Sequence, residues 1–268
     1  MPALRGVSQS LGVPLIAFRE FDSVRNRLDE LQNLARVWVA GGDGTLSRIA
    51  PVLIDRQMIL GILPLGTGNS LARELGVPLR LDEAMEFHLS KSEPKSIDVG
   101  EIDGRPFLNA VSIGVTTGIA GALKSLPKHR FGNWVYLPGV IKAVRTARPF
   151  TMTIHADAAH FEGNVLQFVA ASTRNHGGKF AVSPVASIND GLLSVYAVQP
   201  ERRTTLLRYA VGLVVGRQTH LGEVWNCESS GVNINLLRAR RFVADGDLLP
   251  KRIQTVLTIR PGALCVLG

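Results

Sequence analysis

Two glycine-rich turns constrain the fold of this chain more than any other feature of its sequence. They read Gly41-Gly42-Asp43-Gly44-Thr45-Leu46 and Gly66-Thr67-Gly68-Asn69. Each turn follows a short apolar segment, which predicts a buried strand, and precedes a helical pattern of apolar residues. Strands that alternate with helices form parallel βαβ units, and the turns after parallel strands lie at the carboxyl edge of the sheet, where ligands bind. The sequence therefore predicts an α/β domain with both turns at one edge.

The rest of the chain has a different pattern, in which many short strands are separated by turns containing Gly, Asn and Pro, and it predicts an antiparallel β-sandwich. The boundary falls near Pro94, so the predicted domains are residues 1–94 and 95–268. The first domain has predicted strands at 13–18, 37–40 and 59–63 and predicted helices at 24–34, 46–53, 70–75 and 81–89. The second has predicted strands at 97–102, 107–113, 150–155, 165–171, 192–198, 232–236, 241–244, 255–259 and 263–267, and predicted helices at 133–146 and 202–215.

Composition narrows the classes of protein to consider. Lys and Arg number 30 against 22 Asp and Glu, and the resulting charge of +8 favours anionic partners such as nucleotides or acidic lipid surfaces. The basic stretches 124–130, 202–203 and 238–241 are typical of solvated faces and could also draw the protein to an anionic bilayer. Aromatic residues are few and do not alternate with basic ones, so we expect no nucleic-acid partner.

Several further classes are excluded by missing patterns. The 2 cysteines have no Cys or His at ligand spacing, which argues against a zinc site and a disulfide framework. The sequence contains no G-x-S-x-G elbow and no G-x-x-x-x-G-K-[ST] loop, which argues against a serine hydrolase and a P-loop enzyme. No apolar run reaches the roughly 18 residues of a membrane span, so we expect a cytoplasmic protein.

The two glycine turns have the chemistry of a phosphate site. Glycine lets the backbone approach a phosphate closely, and the start of a helix offers free N–H groups and a positive dipole end. We expect Thr45 to cap the first helix, and Asp43 either to meet a magnesium ion near the phosphates or to cap a turn. The structural alternative for the glycines is a pair of tight turns that need positive φ.

These turns, with their order and separation, resemble the catalytic domain of the diacylglycerol kinase superfamily, which includes bacterial lipid kinases and sphingosine kinases and shares its first domain with NAD kinases. The resemblance implies an NAD-kinase-like parallel α/β domain followed by an antiparallel β-sandwich domain. Further segments of the second domain also resemble the family: Ile97-Asp98-Val99, Phe107-Leu108-Asn109, Ser112-Ile113-Gly114, Asn175-His176-Gly177-Gly178, Pro184-Val185-Ala186, Asn189-Asp190-Gly191-Leu192-Leu193 and Asp245-Gly246-Asp247.

The resemblance implies a lipid kinase that transfers the γ-phosphate of ATP to a lipid hydroxyl in the presence of Mg²⁺, in lipid metabolism such as phospholipid biosynthesis. Residues Gly41 to Leu46 and Gly66 to Asn69 would cradle the nucleotide. Asp190, with the backbone carbonyls of Ser187 and Leu192, would bind the magnesium ion. The implied catalytic residues are Asp247 as the proton acceptor, Asp245 beside it, and Asp43. Taken without the family, the Asp-Gly pairs at 190–191 and 245–246 are ordinary hairpin turns.

The sequence departs from the family in three places. The late acid is Asp247 where the family has Glu, so its reach is one methylene shorter. Ser70 follows Asn69 where the family often has Asp. The family's first strand, with its N-P-x-x-G turn, is missing, and we expect a misassigned start, a truncation or a reduced member with weaker nucleotide binding.

Two alternative functions stay open, a non-catalytic lipid- or nucleotide-binding relative and an NAD-kinase-like enzyme acting on a soluble substrate. For the lipid kinase, the expected partner is a lipid substrate at the membrane surface, with peripheral contact at the inner membrane. A homodimer is also compatible with the sequence, which specifies neither the acceptor lipid nor the nucleotide.

Overall fold

The computed structural model describes residues 22–30, 35–66, 68–90, 93–115, 137–173, 187–202 and 224–268, and isolated residues 5, 6, 9, 12, 16, 117, 204 and 207. The chain divides into two compact units. The first comprises Met1–Ile97 together with Gly262–Gly268, and the second comprises Asp98–Pro261. The C-terminal segment thus belongs to the first unit, a return of the chain that the sequence-based boundary at residues 94 and 95 did not anticipate.

The first unit is built on parallel strands. Its elements are α1 (Asp22–Glu30), β1 (Arg36–Gly41), α2 (Asp43–Asp55), β2 (Ile59–Pro64), α3 (Ser70–Glu74) and α4 (Leu81–Ser90). β1 and β2 pair in parallel along their whole length, from Arg36↔Ile59 to Gly41↔Pro64. The end of the last strand, β12 (Asp247–Leu267), joins β2 in parallel through Val266↔Leu60. The predicted parallel α/β arrangement is confirmed.

Burial explains why these segments form a sheet covered by helices. Every residue of β2 after Ile59 is buried, as is typical of a parallel strand covered on both faces. In α2, Leu46, Ile49, Ala50 and Leu53 recur at helical spacing and are buried. This packing fixes the carboxyl ends of β1 and β2, where the two glycine turns begin.

The second unit is mainly antiparallel. Its elements are the inner part of β3 (Pro94–Ile102), β4 (Arg105–Phe107), β5 (Ala110–Gly114), α5 (Leu137–Thr146), β6 (Phe150–Ala156), β7 (His160–Val165), β8 (Gln167–Ala171), β9 (Leu193–Val198), a 3₁₀ turn (Pro200–Arg202), β10 (Trp225–Ser229), β11 (Gly231–Ala244) and most of β12. One ladder runs in the order β12-β11-β5-β8-β9-β10, while β6 and β7 extend from β11. The predicted antiparallel domain is confirmed.

The long strand β11 generates the sandwich-like arrangement because it changes partner along its length. Its first half, around Val232 to Leu236, pairs with β6, and its end, Val243 and Ala244, pairs with β5. Register shifts in the β11–β12 ladder lie between these halves, where a bulged strand can bend. The enclosed core contains the fully buried side chains of Phe107, Phe168 and Phe242.

The structure revises several predicted elements. The segment predicted as one strand at 107–113 is split at Leu108 and Asn109 into β4 and β5. The predicted strands 232–236 and 241–244 form one bulged strand, and 255–259 and 263–267 both lie within β12. β7 and β10 were not predicted, because each contains Asn and Glu, residues that are uncommon in strands. Apart from single residues, the predicted strand 13–18 and most of the predicted helix 202–215 lie outside the described residues.

Candidate functional site

The two glycine turns lie side by side in the first unit. Gly41 at the end of β1 is paired with Pro64 at the end of β2, and the amide of Leu65 donates to the carbonyl of Gly41 at 3.0 Å. Because the strands are parallel and in register, their carboxyl ends coincide. Both turns therefore leave the sheet at the same edge.

Close backbone contact between the turns explains two of the glycines. A Cβ added at Gly66 would lie 2.5 Å from the Cα of Gly42, and one added at Gly42 would lie 2.8 Å from the Cα of Gly66. Distances this short are not tolerated between carbon atoms, and neither neighbour is a flexible side chain. Gly42 and Gly66 are thus required by the space between the turns, and neither has a positive φ.

Asp43 joins the two turns through its carboxylate. Oδ1 accepts hydrogen bonds from the backbone N–H of Ser70 at 2.7 Å and of Leu71 at 3.4 Å, at the start of α3. Asn69 has left-handed φ of 49° and closes the second turn from within. Its side chain accepts from the N–H of Gly66 at 2.9 Å and donates to the Gly66 carbonyl at 2.8 Å. This network makes the paired turns one braced structure.

The start of α2 differs from the prediction for Thr45. Helix α2 begins at Asp43, its N-cap is Gly42, and no side chain caps it. Thr45 lies in the first turn, where its N–H donates to the Gly42 carbonyl at 2.9 Å. The predicted Thr45 cap is wrong because the helix starts earlier than the apolar pattern indicated. The second-turn residue Thr67 lies outside the described residues.

The predicted metal-binding residues Ser187, Asp190 and Leu192 lie together in one turn of the second unit. The Asp190 carboxylate accepts from the N–H of Ser187 at 2.8 Å and from the N–H of Leu192 at 3.0 Å. Asp98, 4% exposed, fixes this turn by accepting from the N–H of Gly191 at 2.7 Å. The Asp190 carboxylate is thus exposed, and each of its oxygens accepts a backbone N–H of its own turn.

The late acidic motif is a hairpin turn, and its two acids have different surroundings. Asp245 and Gly246 have φ values of +47° and +87° between the paired residues Ala244 and Asp247, as in a type I′ turn. The Asp245 carboxylate accepts three backbone N–H groups, from Leu108 at 2.7 Å, Asn109 at 2.8 Å and Ala110 at 3.1 Å. These bonds show that Asp245 holds the turn between β4 and β5.

Asp247 has a more open carboxylate than Asp245. Its side chain is 36% exposed, and its Oδ2 lies 3.5 Å from the guanidinium of Arg105 on β4. The Asp247 carboxylate is therefore accessible to solvent or to a ligand, and Arg105 lies next to it. The assignment of Asp247 as the proton acceptor stays a prediction.

Asn109 lies in a segment that resembles the family, and no role is predicted for it. It is 7% exposed, and its side-chain Oδ1 has no hydrogen-bond partner among the described residues. A buried acceptor without a partner is costly and calls for an explanation. The sequence offered one signal, since Asn109 is a polar residue between the apolar pairs Phe107-Leu108 and Ala110-Val111.

The segments Asn175 to Gly178 and Pro184 to Ala186 lie outside the described residues. Within the described ranges, no three side chains of His, Cys, Asp or Glu come together in a way that would hold a metal ion. None of the described helices has both the length and the apolar character needed to cross a bilayer.

Comparison with known proteins identifies the family. Residues 8–102 match the diacylglycerol kinase catalytic domain, and residues 109–268 match the YegS C-terminal NAD kinase beta sandwich-like domain. A diacylglycerol kinase of Mycobacterium tuberculosis (strain ATCC 25618 / H37Rv) is 31% identical over 244 residues, covering 86% of this chain and 76% of the relative. A YegS-like protein of Klebsiella pneumoniae (strain 342) is 32% identical over 182 residues, 66% of this chain and 61% of the relative.

A solved structure agrees with the fold. The crystal structure of a diacylglycerol kinase from Bacillus anthracis str. Sterne superposes with a TM-score of 0.73 at 20% identity, over 99% of this chain and 88% of that one. The second family match alone spans more than half of the chain. This chain therefore belongs to the diacylglycerol kinase family of lipid kinases, with a YegS-type C-terminal domain.

Proposed function

We propose that this protein is a magnesium-dependent kinase that transfers the γ-phosphate of ATP to the hydroxyl of a diacylglycerol-like lipid. The observation that carries the proposal is the braced pair of glycine turns, in which Gly42 and Gly66 meet and Asp43 bonds to the start of α3. The glycine turns place backbone groups without covering side chains at the carboxyl ends of two parallel strands, where phosphates bind. Family membership supports the same reaction.

In this proposal the first unit binds the nucleotide. Backbone groups of Gly41 to Leu46 and of Gly66 to Asn69 contact its phosphates, and the uncapped start of α2 adds its positive dipole end. Asp43 is a positioning residue, because its carboxylate bonds to Ser70 and Leu71. We expect Asp43→Asn to remove most activity mainly by raising KM for ATP, since the second turn loses its brace.

The turn at Asp190 fits a magnesium ion by the chemistry of its donors. Mg²⁺ prefers oxygen ligands and is commonly held through one or two carboxylates. The carboxylate of Asp190 and the carbonyls of Ser187 and Leu192 would supply such ligands. When bound, the ion supplies neutralisation of the charge that develops on the transferred phosphoryl group.

Proton transfer is assigned to Asp247. A carboxylate can accept the hydroxyl proton as the acceptor oxygen attacks the phosphorus. The guanidinium of Arg105 lies 3.5 Å from this carboxylate. Asp245 is assigned a positioning role, because its three backbone hydrogen bonds fix the turn from which Asp247 follows.

The decisive experiment follows labelled phosphate from γ-labelled ATP onto diacylglycerol in detergent micelles with Mg²⁺. Asp247→Ala and Asp190→Ala should each abolish transfer, while Asp82→Ala, an exposed carboxylate paired only locally with Arg80, should leave it unchanged. Nucleotide binding without any transfer would indicate the non-catalytic relative. Transfer to NAD in place of lipid would indicate the soluble-substrate alternative.

A further inference from the structure

A large bulge interrupts the β11–β12 hairpin of the second unit. The ladder pairs Asn235 with Gln254 and next pairs Arg240 with Arg252. The four residues 236–239 of β11 therefore stand opposite Ile253 alone on β12, and the first of them, Leu236, pairs with Met152 of β6. Extra residues in one strand interrupt the ladder and bend that strand.

The bulge presents apolar side chains to solvent. Leu237 is 77% exposed and Ile253, across the ladder, is 54% exposed. Both lie between the same two ladder pairs, so the two aliphatic side chains belong to one local surface. Single exposed apolar residues are common, but two within the same short stretch of one ladder suggest a contact surface.

Cationic side chains surround these two residues. Arg238 within the bulge, and Arg241 and Lys251 as the next pair of the ladder, are all exposed. Arg240 is held differently, with its guanidinium 4.4 Å from the ring centre of Phe150, and Arg252 is paired with Asp103 at 2.6 Å. We call Leu237, Arg238, Arg241, Lys251 and Ile253 the bulge surface.

The chemistry of the bulge surface selects one kind of partner. A second copy of the chain would bring the same cations against one another in a two-fold contact, which charge repulsion disfavours. The five residues of the bulge surface include no aromatic side chain for base stacking, and the nearby Phe150 is 5% exposed, with Arg240 over its ring. An anionic bilayer accepts aliphatic side chains at its interface and pairs its phosphates with cations.

We propose that the bulge surface docks the protein on anionic lipid membranes. This inference rests on the proposed function, because a lipid acceptor is held in a bilayer. The same hairpin carries Asp247, four residues before Lys251 and hence ~13 Å away along an extended strand. Docking through the bulge would hold the proposed proton acceptor at a fixed distance from the lipid surface.

The test is co-sedimentation of the full chain with vesicles of phosphatidylcholine, with and without phosphatidylglycerol. The wild type should bind the anionic vesicles and lose binding at high salt. Arg238→Glu with Arg241→Glu should weaken binding by about tenfold or more, and Leu237→Ser with Ile253→Ser should weaken it at constant charge. The matched control pairs Arg36→Glu with Leu89→Ser, exposed residues of the first unit, and should bind like the wild type.

Three results would overturn the docking proposal: unchanged binding by both bulge variants, equal binding to neutral vesicles, or loss of a dimer in the same variants during ultracentrifugation. Thermal unfolding identifies any variant that is not folded. The bulge variants should phosphorylate detergent-dispersed lipid at the wild-type rate, because they leave the catalytic groups in place. Vesicle binding without turnover of any lipid would refute the proposed kinase activity and leave the docking surface intact.

Discussion

Two pairs of glycines, one pair in each unit, are required for different physical reasons. In the first unit, Gly42 and Gly66 have ordinary backbone angles, and the neighbouring backbone leaves no room for a side chain. In the second unit, Gly104 and Gly246 have open space around them but adopt φ of +78° and +87°. The first pair is required by contact between two turns, and the second pair by the conformation of single turns.

Carboxylates stabilise both kinds of turn in the same way. Asp43 accepts backbone N–H groups from a segment 27 and 28 residues away, and Asp245 does so from one 135 to 137 residues away. In each case the oxygens of one carboxylate satisfy amides that would otherwise be left without a partner. Both turns are therefore held by a carboxylate that binds distant backbone amides, and they differ in the reason why glycine is required.

Gly66→Ala should have the largest effect of the substitutions that test this difference. The new Cβ would meet backbone at 2.5 Å and the Asn69 side chain at 2.7 Å, so the turns must separate. We expect a loss of about 3 kcal/mol in the free energy of unfolding, measured by urea denaturation. Gly44→Ala is the matched control, because its Cβ meets nothing within 4 Å and alanine favours the helix. Equal stability of the two variants would contradict the contact explanation.

Asp245→Asn should have the next largest effect. Asparagine tolerates the left-handed conformation, so the turn is retained while the charged acceptor for three buried amides is lost. The expected cost is about 2 kcal/mol in the free energy of unfolding. Asp43→Asn should cost about half as much, because one of its two backbone bonds is long, at 3.4 Å. A larger loss of stability in Asp43→Asn than in Asp245→Asn would contradict this ranking by the number and length of the hydrogen bonds.

These tests concern contacts that the sequence could predict only in part. The strand-turn-helix order around Gly41 and Gly66 predicted parallel strands and adjacent turns, because that pattern is local and repeated. The hairpin at Asp245-Gly246 was available as an alternative from the Asp-Gly pair alone. Both successes depend on signals within a few residues.

Contacts between residues far apart in the chain could not be predicted from the sequence. Nothing local shows that Asp245 bonds to residues 108–110, or that Asp43 bonds to Ser70 in place of capping its own turn. The return of Gly262–Gly268 to the first unit also depends on a parallel pairing with β2, formed across most of the chain. Such contacts are set by tertiary packing, and a single sequence does not display which distant segments pair.

Gly246→Ala should have a smaller effect than the substitutions above. The added methyl group has open space, and the cost is the left-handed conformation itself, about 1 kcal/mol. Gly246→Asn should cost less, because asparagine adopts that conformation more readily than alanine. Thermal unfolding of the two variants would measure the difference. If alanine proved as costly at Gly246 as at Gly66, contact and conformation would not be separable in this fold.

The pH dependence of the unfolding free energy should also differ between the two units, and we expect this effect to be the smallest. His88 on α4 is buried and donates Nε2–H to the Ile62 carbonyl at 2.8 Å, and burial lowers its pKa from the ordinary 6.5. The unfolded chain therefore takes up a proton that the folded chain does not, so stability falls as pH drops below 6.5 toward the lowered value.

In the second unit, the hydroxyl and amide of Ser230 lower the pKa of Asp157 below 3.8, so the contribution of Asp157 to stability persists until more acidic pH. His88→Leu should flatten the pH dependence of the unfolding free energy just below pH 6.5, whereas Asp157→Asn should leave that range unchanged. An unchanged slope in His88→Leu would assign this sensitivity to another group.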